Sequence, residues 1–293
     1  EKETPRAFVV NRMDTENANF EKVFTALREQ FGPSVVPMQL PILKGESFVG
    51  YVNIASGTAY EFAGNSVKKI DVPDNLAAEV EEYRGILTET AAESSEELME
   101  KYFEGEEFTE DELNSGIRAG ILSGSLTPVL CTAAAPQLAI SSLLDMIVTF
   151  MPAPNEHAPK QGKTAGGDDA ERACSNDQPF SAQVFKTLTD NFVGKISLFK
   201  VYSGKMTVDT PLYNPNSEKS EKAGNLYYML GKKTYNIDAI CAGDIGALSK
   251  LQYTSTGDSL CEIGKVVQYD SIDFPAPQIS LAVYAKKAGE EDK

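Results

Sequence analysis

The sequence predicts a multi-domain α/β plus β protein, in which an interrupted α/β sheet is followed by an all-β barrel. Three observations carry this prediction. An apolar strand near the N-terminus runs into a polar loop and an amphipathic helix. A similar strand, loop and helix return after residue 126, beyond an α+β insertion. From residue 179 onward the pattern changes to short alternating strands separated by Gly, Asp and Asn turns.

The first strand, Phe8–Val10, runs into the N-x-x-D pattern Asn11–Asp14. The Asp carboxylate of such a loop can accept two hydrogen bonds, from N1 and N2 of guanine, while the Asn braces neighbouring loops. Residues 19–31 follow with apolar side chains at helical spacing. Because nucleotide sites lie at the carboxyl ends of parallel strands, Asn11 and Asp14 are predicted to contact a guanine base.

The insertion, residues 43–125, is predicted to be a small α+β unit. Hairpin strands flank Ser56-Gly57, and helices are expected from Pro73-Asp74, from Ser94 or Ser95, and from Thr109. Thr109 and Glu112 have the T-x-x-E spacing of a capping box. The sheet then resumes with an apolar strand at residues 127–132 and a helix at residues 139–150.

The second half of the chain begins with a predicted linker, residues 155–177, which is rich in Gly, Lys, Asp and Pro. Residues 178–273 are predicted to form a closed β-barrel. Its predicted strands are Ala182–Phe185, Gly194–Tyr202, Thr210–Tyr213, Leu226–Leu230, Tyr235–Ile240, Ile245–Leu251 and Val266–Tyr269. Residues 274–284 are predicted to begin a further strand, which has no partner left in the sequence.

Composition excludes several classes of function. The net charge of −16 argues against non-specific binding of DNA. No apolar stretch is long enough to span a bilayer, so no membrane partner is predicted. With four scattered cysteines and one His, neither a metal site nor a Ser/His/Asp or Cys/His catalytic group is predicted. Free thiols indicate a cytoplasmic protein.

The base-reading pattern has no phosphate-binding loop beside it. Gly162-Lys163-Thr164 matches the end of a Walker A motif, but His157 stands where the motif requires Gly. The triplet also lies in the predicted linker, so we reject it. Because phosphates, a Lys and Mg²⁺ supply most of the nucleotide affinity in GTPases, the sequence is predicted to be a piece of a larger GTPase that does not hydrolyse GTP by itself. No catalytic residue is predicted in it.

The loop Cys131–Pro136 follows the resumed sheet strand, where GTPases usually carry an S-A-x loop. The backbone N–H of the Ala in such a loop contacts guanine O6, and Ala134 can offer that N–H. Ala133 replaces the flanking Ser, and Pro136 removes a local donor. A tight strand-to-helix turn without any base contact is the alternative.

Nine segments together resemble bacterial elongation factor G, and most closely its elongation factor G-like paralogues. These segments are Asn11–Phe20, Leu40–Ile42, Leu98–Gly105, Pro128–Cys131, Leu143–Ile147, Phe185–Asp190, Val201–Gly204, Cys241–Ile245 and Thr256–Leu260.

The resemblance implies a domain plan. Residues 1–42 and 126–154 would form the C-terminal part of the GTPase domain, with part of a P-loop GTPase sheet, and residues 43–125 the inserted G′ subdomain. Residues 178–273 would be domain II, a translation-factor-type β-barrel, and residues 274–293 the start of domain III.

The resemblance also implies function. The parent protein would bind GTP or GDP with Mg²⁺ and hydrolyse GTP on the ribosome to drive tRNA–mRNA translocation, whereas this piece is expected to hold no cofactor. Expected partners are small-subunit rRNA, through the Lys195–Lys205 strand pair of domain II, and the ribosomal stalk protein, through the Glu79–Glu112 helices of G′.

Three departures from the family keep two alternatives open. Arg12 stands where the family has the Lys of N-K-x-D, although its stem can still pack over a base. The S-A-x loop is altered at Ala133, and residues 222–226 lack the family's arginines. The alternatives are a ribosome-binding paralogue that does not hydrolyse GTP, and a ribosomal protection factor, which shares this domain plan.

Overall fold

The computed structural model describes residues 4–64, 66–190, 194–208, 210–222, 224–282 and 284. The chain divides into two compact units, Glu1–Pro152 and Ala153–Lys293. Within the described residues, no helix is both long and apolar enough to cross a membrane.

Unit 1 contains a parallel three-stranded sheet of order β1-β7-β2 and an antiparallel four-stranded sheet of order β3-β4-β5-β6. Its elements are β1 (Phe8–Val10), α1 (Phe20–Phe31), β2 (Val35–Pro37), β3 (Gln39–Lys44), β4 (Ser47–Asn53), β5 (Thr58–Ala63), β6 (Ser66–Ile70), α2 (Asp74–Ala92), α3 (Glu96–Glu104), α4 (Glu110–Ser123), β7 (Thr127–Cys131) and α5 (Ile140–Phe150). Among the described residues, one core cluster of buried apolar side chains joins the two sheets to helices α1, α2, α4 and α5.

Local sequence signals set the ends of the helices in unit 1. The Asn19 side chain accepts a hydrogen bond from Lys22 N at 2.8 Å, which caps α1. The predicted capping box of α4 is confirmed: Thr109 Oγ1 accepts from Glu112 N at 3.3 Å, and Glu112 Oε2 accepts from Thr109 N at 2.9 Å. Both caps satisfy backbone N–H groups that have no partner within the helix.

Helices α2 and α4 approach closely at a glycine. A Cβ atom on Gly116 would lie 2.5 Å from Ala91 Cβ and 2.6 Å from Ala91 Cα. Ala91 is fully buried in the core. The absence of a side chain at position 116 therefore permits the packing of these two helices.

The predicted boundary between residues 42 and 43 is wrong in one respect, because β3 runs across it as a continuous strand from Gln39 to Lys44. Strand β3 comes directly after β2 of the parallel sheet in the chain, and all of its residues pair with β4. Two prolines, Pro37 and Pro41, make this stretch look like the end of a strand in the sequence.

Unit 2 is dominated by an eight-stranded sheet of order β14-β13-β19-β10-β11-β18-β15-β16, with additional pairs β12-β17 and β8-β9. A short 3₁₀ helix, Pro154–Glu156, precedes its strands. The strands are β8 (Lys160–Lys163), β9 (Asp169–Arg172), β10 (Ser181–Asp190), β11 (Gly194–Ser203), β12 (Lys205–Thr207), β13 (Leu212–Asn214), β14 (Lys219–Glu221), β15 (Leu226–Leu230), β16 (Lys233–Asn236), β17 (Ala239–Cys241), β18 (Ile245–Ser249) and β19 (Ser259–Glu262). The sheet curls around a core that includes Phe180, Phe199 and Leu212.

The barrel differs from its prediction in three ways. Strand pairing among the described residues leaves β14 and β16 as end strands, so hydrogen bonds do not close the ladder. The predicted strand at residues 235–240 is divided between β16 and β17, and residues 266–269 are not a strand. The short strands β12, β14 and β19 were not predicted, because three or four residues are too few to show alternation.

Residues 155–177, which the sequence predicts to be a linker, contain regular structure. Strands β8 and β9 form an antiparallel hairpin. Lys163 and Gln268 exchange two backbone hydrogen bonds of 2.7 and 2.8 Å, and the Lys160 ammonium lies 5.1 Å from the Tyr202 ring centroid. Hydrogen bonds and a cation–π contact hold the hairpin, so hydrophobic periodicity gives no sign of it.

The strand predicted from residue 274 is also wrong. The described residues in 271–284 form no strand, and Phe274, Ile279 and Leu281 are at least 63% exposed. A strand is stable only when a neighbour accepts and donates its backbone hydrogen bonds, and none of the described residues does so here. Residues 283 and 285–293, the remainder of the predicted start of domain III, lie outside the described residues.

We expect Gly116→Ala to destabilise unit 1 by about 1–3 kcal/mol, because the new methyl group would overlap Ala91. Gly85→Ala is the matched control: Gly85 is an exposed residue within α2, and a Cβ there would meet no atom within 4 Å. It should stabilise the same unit by about 0.5–1 kcal/mol through helix propensity. Differential scanning calorimetry measures both, and an unchanged midpoint for Gly116→Ala would contradict the close approach.

The hydrogen bond from Lys101, followed by those from Thr109, lowers the pKa of Glu112 from 4.5 to about 2. A lowered pKa in the folded state stabilises that state above the ordinary pKa, and the contribution disappears as the pH falls through about 2. We therefore expect Glu112→Gln to destabilise unit 1 near neutral pH, and the difference from wild type to shrink between pH 4.5 and about 2.

Urea unfolding followed by circular dichroism across this pH range measures the effect on Glu112. Glu107→Gln is the control, since Glu107 is exposed and has no hydrogen-bond partner in the described part of the chain. A pH-independent difference between wild type and Glu112→Gln would argue against a carboxylate bound by Lys101 and Thr109.

Candidate functional site

The predicted base-reading loop lies at the carboxyl end of the parallel sheet in unit 1. Strand β1 pairs in parallel with β7, with Val10 opposite Cys131. The loop after β1 contains Asn11–Asp14, and the loop after β7 contains Thr132 and Ala134. The structure thus brings together the two loops that the sequence analysis assigns to the same site.

The Asn11 side chain joins the two loops. Its Oδ1 atom accepts hydrogen bonds from Ala134 N at 3.0 Å and from Thr132 Oγ1 at 3.2 Å. Two backbone hydrogen bonds connect the same loops: Thr132 N donates to Val10 O at 2.9 Å, and Met13 N donates to Thr132 O at 3.1 Å. Asn11 therefore acts as a brace that fixes the two loops relative to each other.

Arg12 adopts a left-handed backbone conformation with φ of 64°. This conformation is uncommon for a residue other than glycine. Thr15 holds it, because Thr15 N and Thr15 Oγ1 both donate to Arg12 O, at 3.1 and 2.8 Å. The turn buries the Met13 side chain, which is 1% exposed, and leaves Arg12 and Asp14 on the surface.

Asp14 is exposed, and no described residue donates a hydrogen bond to its carboxylate. Both oxygens are free to accept, which is what two N–H groups on the edge of a base require. Ala134 differs from this picture, because its N–H, assigned by sequence to guanine O6, donates to Asn11. Of the four residues predicted to contact the base, Arg12 and Asp14 thus face solvent, whereas Asn11 and Ala134 are hydrogen-bonded to each other in the brace.

The loop after β7 is a tight turn. Ala133 and Leu138 exchange backbone hydrogen bonds of 3.1 and 2.9 Å. Gln137 and Ala139 have positive φ angles of 61° and 57°, the second just before α5. This geometry agrees with the tight strand-to-helix turn that the sequence analysis kept as an alternative, and the Ala134 N–H lies within it.

Two residues that support this region were not identified from the sequence. Thr132 is buried and donates to Asn11. Gln39 is 2% exposed; its Oε1 accepts from Cys131 N at 3.4 Å, and its Nε2 donates to Ser142 Oγ. A single Gln inside the apolar run of residues 35–43 is the signal that could have revealed it, since a buried amide needs partners.

A cavity of about 310 Å³ lies beside Gln39 and Ser142. Its polar lining includes Tyr51, Asn53 and Asp145, whereas Asp14 and Ala134 are not part of it. Burial raises the pKa of the Tyr51 phenol above its ordinary value. Burial likewise raises the pKa of the Cys131 thiol, which makes it unreactive.

Neither a metal centre nor a phosphate loop is evident in the described residues. No three His, Cys, Asp or Glu side chains in that part of the chain come together as a metal site. Lys163 of the rejected Walker-like triplet lies in β8, and its ammonium pairs with Asp169 at 2.6 Å. It is a hairpin residue rather than the end of a phosphate loop, which would open a helix.

The barrel surface contains the lysines that the sequence analysis assigned to RNA. Lys195 donates to Thr254 O and is therefore engaged within the barrel. Lys200 is half-buried on β11, and Lys205 is exposed on β12. The acidic helices of unit 1 expose most of their carboxylates.

Comparison with known proteins agrees with the translation-factor-type barrel predicted for the second half of the chain. Residues 179–263 match the family model described as elongation factor G domain 2. The chain is also similar to a crystal structure of a protein from Thermus thermophilus, with a TM-score of 0.76 and 25% sequence identity. The similarity covers 94% of this chain and 39% of that one. Residues 179–263 are therefore similar to elongation factor G domain 2.

Proposed function

We propose that this chain is part of a ribosome-dependent translational GTPase of the elongation factor G type. The observation that carries the proposal is the match of residues 179–263 to elongation factor G domain 2. The similarity over 94% of the chain to one solved structure is consistent with this proposal, because residues of both units match a single known protein. The chain covers 39% of that structure's length, so the activity proposed here is that of the whole protein.

In this proposal unit 1 supplies the base-reading part of the nucleotide site. Asp14 accepts hydrogen bonds from guanine N1 and N2, and the stem of Arg12 packs over the base. Asn11 keeps the two loops in position through its contacts with Thr132 and Ala134. Adenine presents a different edge, so an exposed carboxylate with two free oxygens favours guanine.

The proposed ligands of the whole protein are GTP or GDP with Mg²⁺, and hydrolysis is coupled to tRNA–mRNA translocation. The proposed partners are small-subunit rRNA for the barrel and the ribosomal stalk protein for the acidic helices α2–α4. Of the lysines predicted to contact rRNA, the exposed Lys205 is better placed than Lys195, which is bound to Thr254. Such a protein would act in the cytoplasm.

One observation favours a second candidate, a ribosome-binding relative that does not hydrolyse GTP. The Ala134 N–H, which would contact guanine O6, is hydrogen-bonded to Asn11. A nucleotide would gain that contact only by sharing or displacing the existing hydrogen bond, which weakens the discrimination in favour of guanine.

We expect the 293-residue chain to bind GDP more weakly than micromolar, because its sequence contains no G-x-x-x-x-G-K-S/T loop. Isothermal titration calorimetry with GDP and Mg²⁺ is the measurement, and the Asp14→Asn variant is the control for any residual base contact. Micromolar binding of GDP that is lost in Asp14→Asn would contradict the expectation that the base contact alone, without a phosphate loop, binds only weakly.

We expect the full-length parent protein to hydrolyse GTP faster when ribosomes are present. In its Asp14→Asn variant the preference should shift toward xanthosine triphosphate, because the amide of Asn donates to the oxygen that replaces the guanine amino group. Phosphate release with the two nucleotides, with and without ribosomes, measures both effects. Ribosome binding without turnover would instead support the second candidate.

A further inference from the structure

One hairpin of unit 2 is free of acidic residues in an acidic chain. The chain has 43 Asp and Glu residues against 27 Lys and Arg. Residues 224–237 include none of the acids, but include Lys232, Lys233 and three tyrosines. They comprise β15, its turn and β16, which we call the tyrosine hairpin. Its local charge is therefore opposite to that of the chain as a whole.

The tyrosine hairpin carries a stacked aromatic pair on its exposed face. Tyr228 and Tyr235 are direct cross-strand partners, with ring centroids 4.9 Å apart and ring planes 9° apart. They are 44% and 38% exposed. Leu230, 66% exposed, lies opposite Lys233 on the same face. Among the described strands, β16 is the last of the sheet, so the tyrosine hairpin lies at the edge of the sheet.

Both faces of β15 attach the hairpin to the barrel. Leu226, which shares a face with Tyr228, is buried in the main core of unit 2. Tyr227 is buried in a small cluster with Ile196 and Ala247, against which Leu188 and Met229 also pack. Strand β15 is hydrogen-bonded to β18 through Leu226 and Tyr227. Leu226 and Tyr227 therefore hold the hairpin, and the more exposed Tyr228 and Tyr235 are not needed as anchors.

We propose that Tyr228 and Tyr235 form a stacking platform for unpaired RNA bases, with Lys232 and Lys233 contacting the adjacent phosphates. The proposal rests on the proposed function, in that ribosomal RNA would supply the bases. Aromatic rings stack on any base, and lysines neutralise phosphates. The two lysines and the absence of carboxylates from the hairpin complement a polyanion, which favours RNA over a basic or neutral protein surface.

The test uses the 293-residue chain and a fluorescent oligoadenylate of about eight nucleotides, with duplex RNA of the same length as a comparison. We expect the single strand to bind more tightly. Tyr228→Thr, which keeps strand propensity but removes the ring, should weaken binding roughly 5- to 100-fold. Tyr228→Phe, which keeps the ring, should bind like wild type.

A matched control comes from the same unit. Tyr253 is 50% exposed but lies outside the hairpin, so Tyr253→Thr should change binding by less than about twofold. Replacing both Lys232 and Lys233 by Ala should lower the slope of log affinity against log salt by about 1.4, the value for two phosphate contacts on a single strand. No binding of the oligoadenylate by wild type, or equal binding by Tyr228→Thr, would overturn the platform.

Co-sedimentation with ribosomes distinguishes a failure of the RNA platform from a failure of the proposed ribosomal role. Ribosome binding by wild type that Tyr228→Thr leaves intact would overturn the platform but keep the ribosomal role. Oligoadenylate binding through Tyr228 without ribosome binding would support the platform and count against the ribosomal role. If Tyr228→Thr loses ribosomes but keeps the oligoadenylate, the pair contacts a ribosomal protein, and the RNA platform is wrong.

Discussion

In unit 1 the parallel pairing of β1 with β7 is the constraint on which the candidate site depends. Phe8 lies opposite Val129 and Val10 opposite Cys131, although β2, the whole four-stranded sheet and the four helices α1–α4 lie between them in the chain. This pairing brings the loop of Asn11 to the loop of Ala134, and the Asn11 side chain then locks them. A long insertion is tolerated because loop-closure entropy grows only slowly with length.

Sequence predicts those elements whose signals are local. The capping box of Thr109 and Glu112 and the strand–loop–helix around Asn11 involve residues close together in the chain, so spacing reveals them. The polar hairpin β8–β9 and the short strands of the barrel depend on distant partners such as Gln268 for Lys163. Dependence on a distant partner also explains why the strand predicted at residues 274–284 is wrong. The apolar alternation is present there, but none of the described residues pairs with it.

In the candidate site, too, the sequence reveals the residues of a local pattern but not the contacts between distant residues. Asn11, Arg12 and Asp14 belong to a short pattern, and the pattern locates them in the sequence. The roles of Thr132 and Gln39 come from contacts with residues 121 and 92 positions away, and sequence spacing carries no trace of these. That the Ala134 N–H donates to Asn11 is likewise visible only in three dimensions.

The acidic charge of the chain restricts the surfaces at which RNA could bind. With a net charge of −16, the chain as a whole repels polyanions, and long-range attraction to RNA is unfavourable. RNA contact is therefore most favourable where the surface is locally free of acidic residues and short-range interactions add to the local positive charge. Stacking on Tyr228 and Tyr235 is such an interaction, because it depends on contact with a base rather than on net charge. The physical requirement for RNA contact in an acidic chain thus points to the tyrosine hairpin rather than to a broad basic face.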